Sequence, residues 1–365
     1  MRASTQPPPP FHSKGFLHSL TSRNEFMVAV ILVLTSVFVG SIAPAFWTIP
    51  NLLDVIRTVT VSGIVSMGVL IVVVSGGFDV SFYSISVFAM YVTTMLFTLT
   101  PYRGPIIWMI VVATLIGAGL GSVDALLINS FKLNPFMATL GTQNMFRGFL
   151  LAFIGNMYIY DIPQCMLSFS RWTVFSMRTE TGAIFRLQGA SLLFFGSALL
   201  TWFIMSKTML GRKLAAMGGD INSAERIGLN IKRLNLFLYI YAGALAGLAG
   251  ITHASLMRLA NPFELVGREL IVLAGVFLGG ARVSGGHGTV LGTLMGVVLV
   301  TIINNSLILM GIPTYWQWAV VGCMILVGTG VPSFRAIKRI NRSSVMIEED
   351  WRPPSKTATA KGGGA

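Results

Sequence analysis

The sequence predicts an all-α, polytopic transmembrane helical bundle of about ten spans, with N- and C-termini cytoplasmic and some helices interrupted by glycine. Three observations predict it. Ten apolar segments follow one another between residues 26 and 331, most of them near the roughly 20 residues that carry a helix across a bilayer. Only 11% of the 365 residues are charged against 54% hydrophobic, too few to cover a water-facing surface, where about a quarter is usual. Lys and Arg outnumber Asp and Glu by 26 to 13, yet they gather in a few hydrophilic stretches between apolar runs. That placement points to cytoplasmic loops and away from a nucleic-acid partner.

In chain order, residues 1–25 carry Pro7 to Pro10 with Arg2, Lys14 and Arg23, and read as a disordered basic cytoplasmic arm that cannot bury a core. The transmembrane domain is expected over 26–331, with spans at 26–46, 55–74, 82–99, 105–129, 136–156, 189–206, 235–257, 269–281, 289–310 and 315–331. Ala43-Pro44-Ala45 imitates a signal-peptide cleavage site, but the apolar run before it is about twice a usual signal core, so it reads as a retained first span. The 269–281 segment is short, and Gly-rich breaks flank it and 55–74. These segments suit discontinuous or re-entrant helices, which moves the count by one or two. Residues 332–365 form a basic cytoplasmic tail, largely disordered.

Orientation follows from the basic residues. With the N-terminus inside and ten spans alternating, the 207–234 loop falls inside with Lys207, Arg212, Lys213, Arg226, Lys232 and Arg233 against Asp220 and Glu225. The tail also falls inside, with Arg335, Lys338, Arg339 and Arg342. The 157–188 loop and the 258–268 turn fall outside with nearly balanced charge, so the positive-inside rule is obeyed. Trp47, Trp108, Trp172 and Trp316 stand near span ends, as interfacial anchors do. Glycines at four-residue spacing (Gly117 and Gly121; Gly243 and Gly247; Gly288, Gly292 and Gly296) read as packing ridges where helices approach closely in lipid. The two cysteines, Cys165 and Cys323, and four scattered histidines give neither a disulfide framework nor a metal cluster. No cofactor site is expected.

Three stretches carry the chemistry. Ser75-Gly76-Gly77-Phe78-Asp79-Val80-Ser81 ends one helix and starts another, with Asp79 or Ser81 as a cap. A carboxylate there is expensive unless it caps, pairs or meets water, so a capped break and a break lining a path are compatible. Leu278-Gly279-Gly280-Ala281-Arg282-Val283-Ser284-Gly285-Gly286-His287-Gly288 repeats the pattern in the second half, and paired interrupted segments point to a translocation region. No G-x-x-x-x-G-K-[ST] occurs, so the chain has no P-loop. The third stretch, 211–230, reads as two short helices broken at Gly218-Gly219 and ended at Gly228. It suits docking to another protein, or a basic face toward anionic lipid. Of the remaining intramembrane charges, Asp124 and Arg147 fall in adjacent spans and are expected to pair, with a proton relay as the alternative.

These stretches, with Asn134-Pro135-Phe136-Met137-Ala138-Thr139-Leu140-Gly141-Thr142 and Asn304-Asn305-Ser306-Leu307-Ile308-Leu309-Met310-Gly311, resemble the ribose-type sugar ABC transporter permeases. The resemblance runs from about residue 50 to 331, with the motifs in the family's order. It implies a permease dimer of identical or related subunits, a cytoplasmic ATP-binding subunit, a periplasmic solute-binding protein, and residence in the bacterial inner membrane as a multi-pass protein. The small-molecule solute would be a monosaccharide or related polyol. By the same resemblance, Gly211, Arg212, Ala215, Gly218, Asn222, Ala224, Arg226 and Gly228 belong to a coupling loop (207–234) seated on the ATPase. The translocation path is expected at Gly76, Gly77, Asp79, Ser81, Tyr83, Asn144, Arg147, Gly279, Gly280, Asn304 and Asn305. Phe82 and Tyr83 stand where the family carries small residues, so their bulk either narrows the path or changes a helix contact. A proton-coupled transporter using Asp79 and Asp124 is the rival reading. No set of paired carboxylates, nucleophile and base supports an enzyme.

Overall fold

A computed structural model describes residues 24–100, 102–178, 184–313, 315–326 and 330. Nearly all of the expected arm 1–25, the tail 332–365 and part of the span expected at 315–331 lie outside those residues. The chain runs through α1 (Asn24–Ile42), a 3-10 turn (Pro44–Trp47), α2 (Ile49–Val74), α3 (Phe82–Leu99), α4 (Ile107–Phe131) and α5 (Pro135–Phe149). A π turn (Leu150–Ile154) extends α5 and leads to α6 (Gln164–Arg171) and the hairpin β1 (Thr173–Arg178) and β2 (Ile184–Gln188). Then come α7 (Ser191–Lys207), α8 (Met209–Gly219), α9 (Ile221–Arg226), α10 (Ile231–Met257), α11 (Glu269–Leu278), α12 (Val290–Leu309) and α13 (Tyr315–Leu326).

Each of the ten apolar segments contains a helix. Among the described residues six helices (α1, α2, α3, α4, α10 and α12) are long and apolar enough to cross a bilayer, and α7 with α8 makes a seventh if that pair, bent by 75°, is one span. Among the described residues α5 and α11 fall short of a span, and the segment expected at 315–331 lies partly outside them. α5 cannot begin before Pro135, which takes the first helical position, while Asn134 caps it by accepting from Phe136 N at 3.0 Å. α11 is cut to ten residues by Gly279-Gly280, the latter at φ +91°. Outward faces are apolar, with Leu34, Leu115, Leu199 and Leu326 largely exposed, as a lipid solvent requires.

The long 157–188 stretch, read from sequence as a loop, contains regular elements among its described residues. It carries amphipathic α6 and an antiparallel hairpin pairing Phe175 with Leu187 and Ser176 with Arg186. The hairpin strands hold Thr173, Val174, Phe175, Ile184 and Phe185, residue types that favour strands. Hydrogen bonds tie this end of the bundle together: Tyr91 Oη donates to Met157 O (3.0 Å), Arg258 Nε to Ser170 Oγ (3.0 Å), and Ile159 forms a bridge with Ala260.

At the centre, α10 packs against α4, α3 and α2, and its closest seam is the one expected from the glycines. A Cβ on Gly243 would overlap Gly117 O, and one on Gly247 would overlap Ala113 O. The two ridges therefore pack backbone to backbone. The third ridge is corrected in register. Gly292 and Gly296 meet Gly279 and Gly275 of α11, whereas Gly288 precedes α12 and faces the side chains of Val74, Leu70 and Ala281.

Candidate functional site

α2 ends at Val74, and Gly76 turns the chain at φ +81° with its N–H donating to Val73 O at 3.0 Å. Opposite stands the loop between α11 and α12, which doubles back through Gly285 (φ +82°) and Gly286 (φ +75°). Both values lie in the left-handed region that glycine enters without steric cost. Gly286 N donates to Val74 O at 2.8 Å, so the two interrupted segments are joined main chain to main chain. The end of α8 completes the junction. A Cβ on Gly218 would overlap Val74 O and lie 2.7 Å from Gly286 N. A Cβ on Gly76 would lie 3.3 Å from Gly218 Cα, and one on Gly285 2.6 Å from Gly218 O. Three stretches singled out separately in the sequence thus meet at one point, through backbone.

The loop itself folds much as expected, with one shift. Helix α8 runs through Gly218-Gly219, and the break comes at Asp220, which caps α9 by accepting from Asn222 N (3.0 Å) and Ser223 Oγ (2.5 Å). Those bonds hold the Asp220 carboxyl below the usual carboxylate range. Gly228, at φ +84°, ends the motif. Gly211 packs against Met205, Ala224 is buried, and Ala215 is half-buried. Arg212, Asn222 and Arg226 are exposed on the loop's surface.

Beyond the junction, Asp79 and Ser81 make the turn into α3. Asp79 Oδ1 accepts from Ser81 N (2.7 Å) and stands 2.8 Å from Ser81 Oγ. Asp79 therefore caps the break, as expected. Its hydroxyl partner also reaches Asp124 Oδ2 on α4, at 2.9 Å. This overturns the expected Asp124–Arg147 pair: among the described residues the one ion pair is His253–Glu264, at 3.3 Å. Ser81, rather than a cation, is what Asp124 faces. Arg147, a turn of α5 beyond Gln143, stands within electrostatic reach of Glu269 instead, and Gln143 Nε2 donates to Glu269 Oε1 at 2.9 Å. Glu269 also accepts from Gly267 N (3.1 Å). Gln143, Glu269 and the His253–Glu264 pair were not foreseen, because nothing in their spacing brings α5, α10 and α11 together.

Phe82 and Tyr83 are 2% and 4% exposed and pack on each other, ring centroids 4.9 Å apart. Their bulk is spent on helix packing. Gly77 lies against Val72 and the Tyr239 hydroxyl. Gly279 meets Gly292 and Thr293 of α12, and Gly280 turns the chain after it. Asn144 is exposed, its amide donating to Leu140 O at 2.9 Å. The structure does not bring Asn304 and Asn305 to the junction. Asn304 lies three turns of α12 beyond Gly292, about 18 Å at 1.5 Å per residue, where its carbonyl accepts from Gln317 (3.5 Å).

Comparison with known proteins places this geometry. The family described as "Branched-chain amino acid transport system / permease component" matches residues 51–328. Among similar proteins are the ribose import permease protein RbsC of Haemophilus influenzae, 27% identical over 321 residues (88% of this chain, 96% of the relative), and that of Bacillus subtilis, 30% identical over 324 residues (87% and 93%). The D-allose transport system permease protein AlsC of Escherichia coli is 29% identical over 300 residues (81% and 87%). No solved structure matches the chain.

Proposed function

Because the chain belongs to the branched-chain amino acid transport system / permease component family, we propose that it is the membrane-spanning subunit of an ATP-driven importer of a monosaccharide or related polyol. Relatives named for ribose, allose and arabinose support the sugar class. The partners in this reading are a cytoplasmic ATP-binding subunit, a periplasmic solute-binding protein and a second permease subunit, all at the bacterial inner membrane. In this reading the 207–234 loop faces the cytoplasm, the side to which its basic residues assign it. No bond is made or broken on this chain; it alternates access.

The observation that carries the reading is the backbone junction of Gly76, Gly218 and Gly286. A loop that docks an ATPase transmits motion only if it bears stiffly on the helices that must move. α8 bears on the end of α2 and on the α11–α12 loop at van der Waals contact, with no flexible side chain between. Nucleotide-driven displacement of α8 then moves both interrupted segments together. A bundle with one ion pair among the described residues suits a neutral, hydroxylated solute better than a charged one.

Reconstitution tests this. Proteoliposomes holding the chain with its ATPase are expected to take up labelled pentose or hexose only with ATP and a loaded binding protein. Uptake driven by a proton gradient alone, without ATPase, would overturn the reading in favour of proton coupling.

A further inference from the structure

The Ser81 hydroxyl lies 2.8 Å from Asp79 Oδ1 and 2.9 Å from Asp124 Oδ2. A serine hydroxyl has one proton to give, so it donates to one of these oxygens and presents lone pairs to the other. Two ionised carboxylates cannot share it: one would face those lone pairs at 2.9 Å, out of water, with Asp79 2% and Asp124 0% exposed. Like charges held this close are resolved by one acid keeping its proton.

The backbone decides which. Asp79 Oδ1 also accepts from Ser81 N at 2.7 Å, and an amide N–H only donates. Two donors therefore converge on Asp79, and the charge belongs there. The Ser81 O–H points to Asp79, and its lone pairs are left for a proton on Asp124 Oδ2. We propose that Asp124 is protonated at neutral pH, and that Asp79, Ser81 and Asp124 form a proton-binding site in which Asp124 donates to Ser81 and Ser81 to Asp79.

The surroundings agree. Among the described residues no Lys, Arg or His pairs with either acid. The other elements packed here offer Thr142 of α5 beside Asp124, and Tyr239 of α10, a phenol that is neutral at this pH, within electrostatic reach of both acids. The held proton ties α4 to the α2–α3 turn, three residues past Gly76 and its contact with Gly218. Removing it at high pH puts two anions on one hydroxyl and drives α4 from that turn. The proton is a fixed tie here; nothing in the site requires it to cross the membrane.

The test uses the full-length chain in lipid nanodiscs and infrared difference spectra, which read protonation without transport and so stand apart from the importer reading. Wild type is expected to show a protonated carboxyl stretch at neutral pH that disappears in Asp124→Asn and shifts in Ser81→Ala as the acid loses its acceptor. Thermal stability of wild type is expected to fall at alkaline pH more than that of Asp124→Asn. No protonated carboxyl at neutral pH, a band surviving Asp124→Asn, or a band unmoved by Ser81→Ala would overturn the proposal. The Ser81 arm keeps it refutable if Asp124→Asn does not fold.

Discussion

Replacing Gly218 by alanine adds one methyl group where the junction has no room. The new Cβ would overlap Val74 O and stand 2.7 Å from Gly286 N and 2.9 Å from Ser75 C, against about 3.5–4.0 Å for an ordinary non-bonded contact. The crowding atoms are all backbone, so no rotamer change relieves them, and α8 must withdraw by about 1.5 Å. Overpacking of this kind costs roughly 1–3 kcal/mol. Losing the Gly286 N to Val74 O bond adds about 0.5–1.5 kcal/mol. Alanine returns up to about 1 kcal/mol of helix propensity, leaving a net loss of about 0.5–4.5 kcal/mol. Gly219 is the control, because no atom lies within 4 Å of its Cβ position. Thermal melting of the detergent-solubilised chain, with ATPase co-purification and ATP-driven uptake, reads both. Gly218→Ala is expected to lower the melting temperature and uncouple ATP hydrolysis from uptake, while Gly219→Ala leaves both near wild type. Equal effects at the two positions would show that the junction is not a tight backbone contact, and the transmission argument would fail with it.

Gly243→Ala drives a Cβ into Gly117 O and is expected to cost about 1–3 kcal/mol in a melt, whereas Gly119→Ala, with open space around it, is not. Arg212 is exposed and its guanidinium reaches only Met209 Sδ, at 2.9 Å, among the contacts described. Arg212→Glu should therefore abolish ATPase co-purification while membrane insertion, judged by carbonate extraction, stays intact. At the opposite end, the His253 imidazole beside Glu264 holds that carboxyl below its ordinary value of 4.5. The lowered value means the contribution is fully present above the unfolded carboxylate's titration and is lost as pH falls through the folded one. Melting of wild type should thus drop on acidification below about pH 4.5, and Glu264→Gln should flatten that limb. For orientation, Arg212→Cys is expected to react with impermeant maleimide only from the cytoplasmic side and Trp172→Cys only from the other.

What the sequence revealed and what it hid divide along a physical line. Glycine pairs, caps and apolar runs act through their own backbone, so α2's end before Gly76-Gly77, the Asp79 cap and the glycine ridges at 117/121 and 243/247 were readable from spacing. The hairpin was missed because residues 157–188 lack a long apolar run, and β1 and β2 become strands only by pairing with each other. Partners across the bundle were harder still. Asp124 and Arg147 sit on neighbouring helices, and charge alone pairs them. Facing is set instead by helix rotation, which turns Asp124 toward the α3 start and leaves it unpaired with Arg147.

That misassignment bears on how the rival transport readings are separated. Had Arg147 held Asp124, the acid would be a neutralised structural ion and Asp79 would stand alone as a candidate for proton exchange. With Ser81 between them instead, the two acids form one unit that lies beside the backbone junction. A proton carrier must open to water on each side in turn, whereas this unit is shut away from water, with Asp79 2% and Asp124 0% exposed and Ser81 held between the two acids. Its location suits an element that sets the strength of coupling between α8 and the bundle. A pH dependence of uptake that vanishes in Asp124→Asn while the ATP requirement remains would separate that role from proton-driven transport.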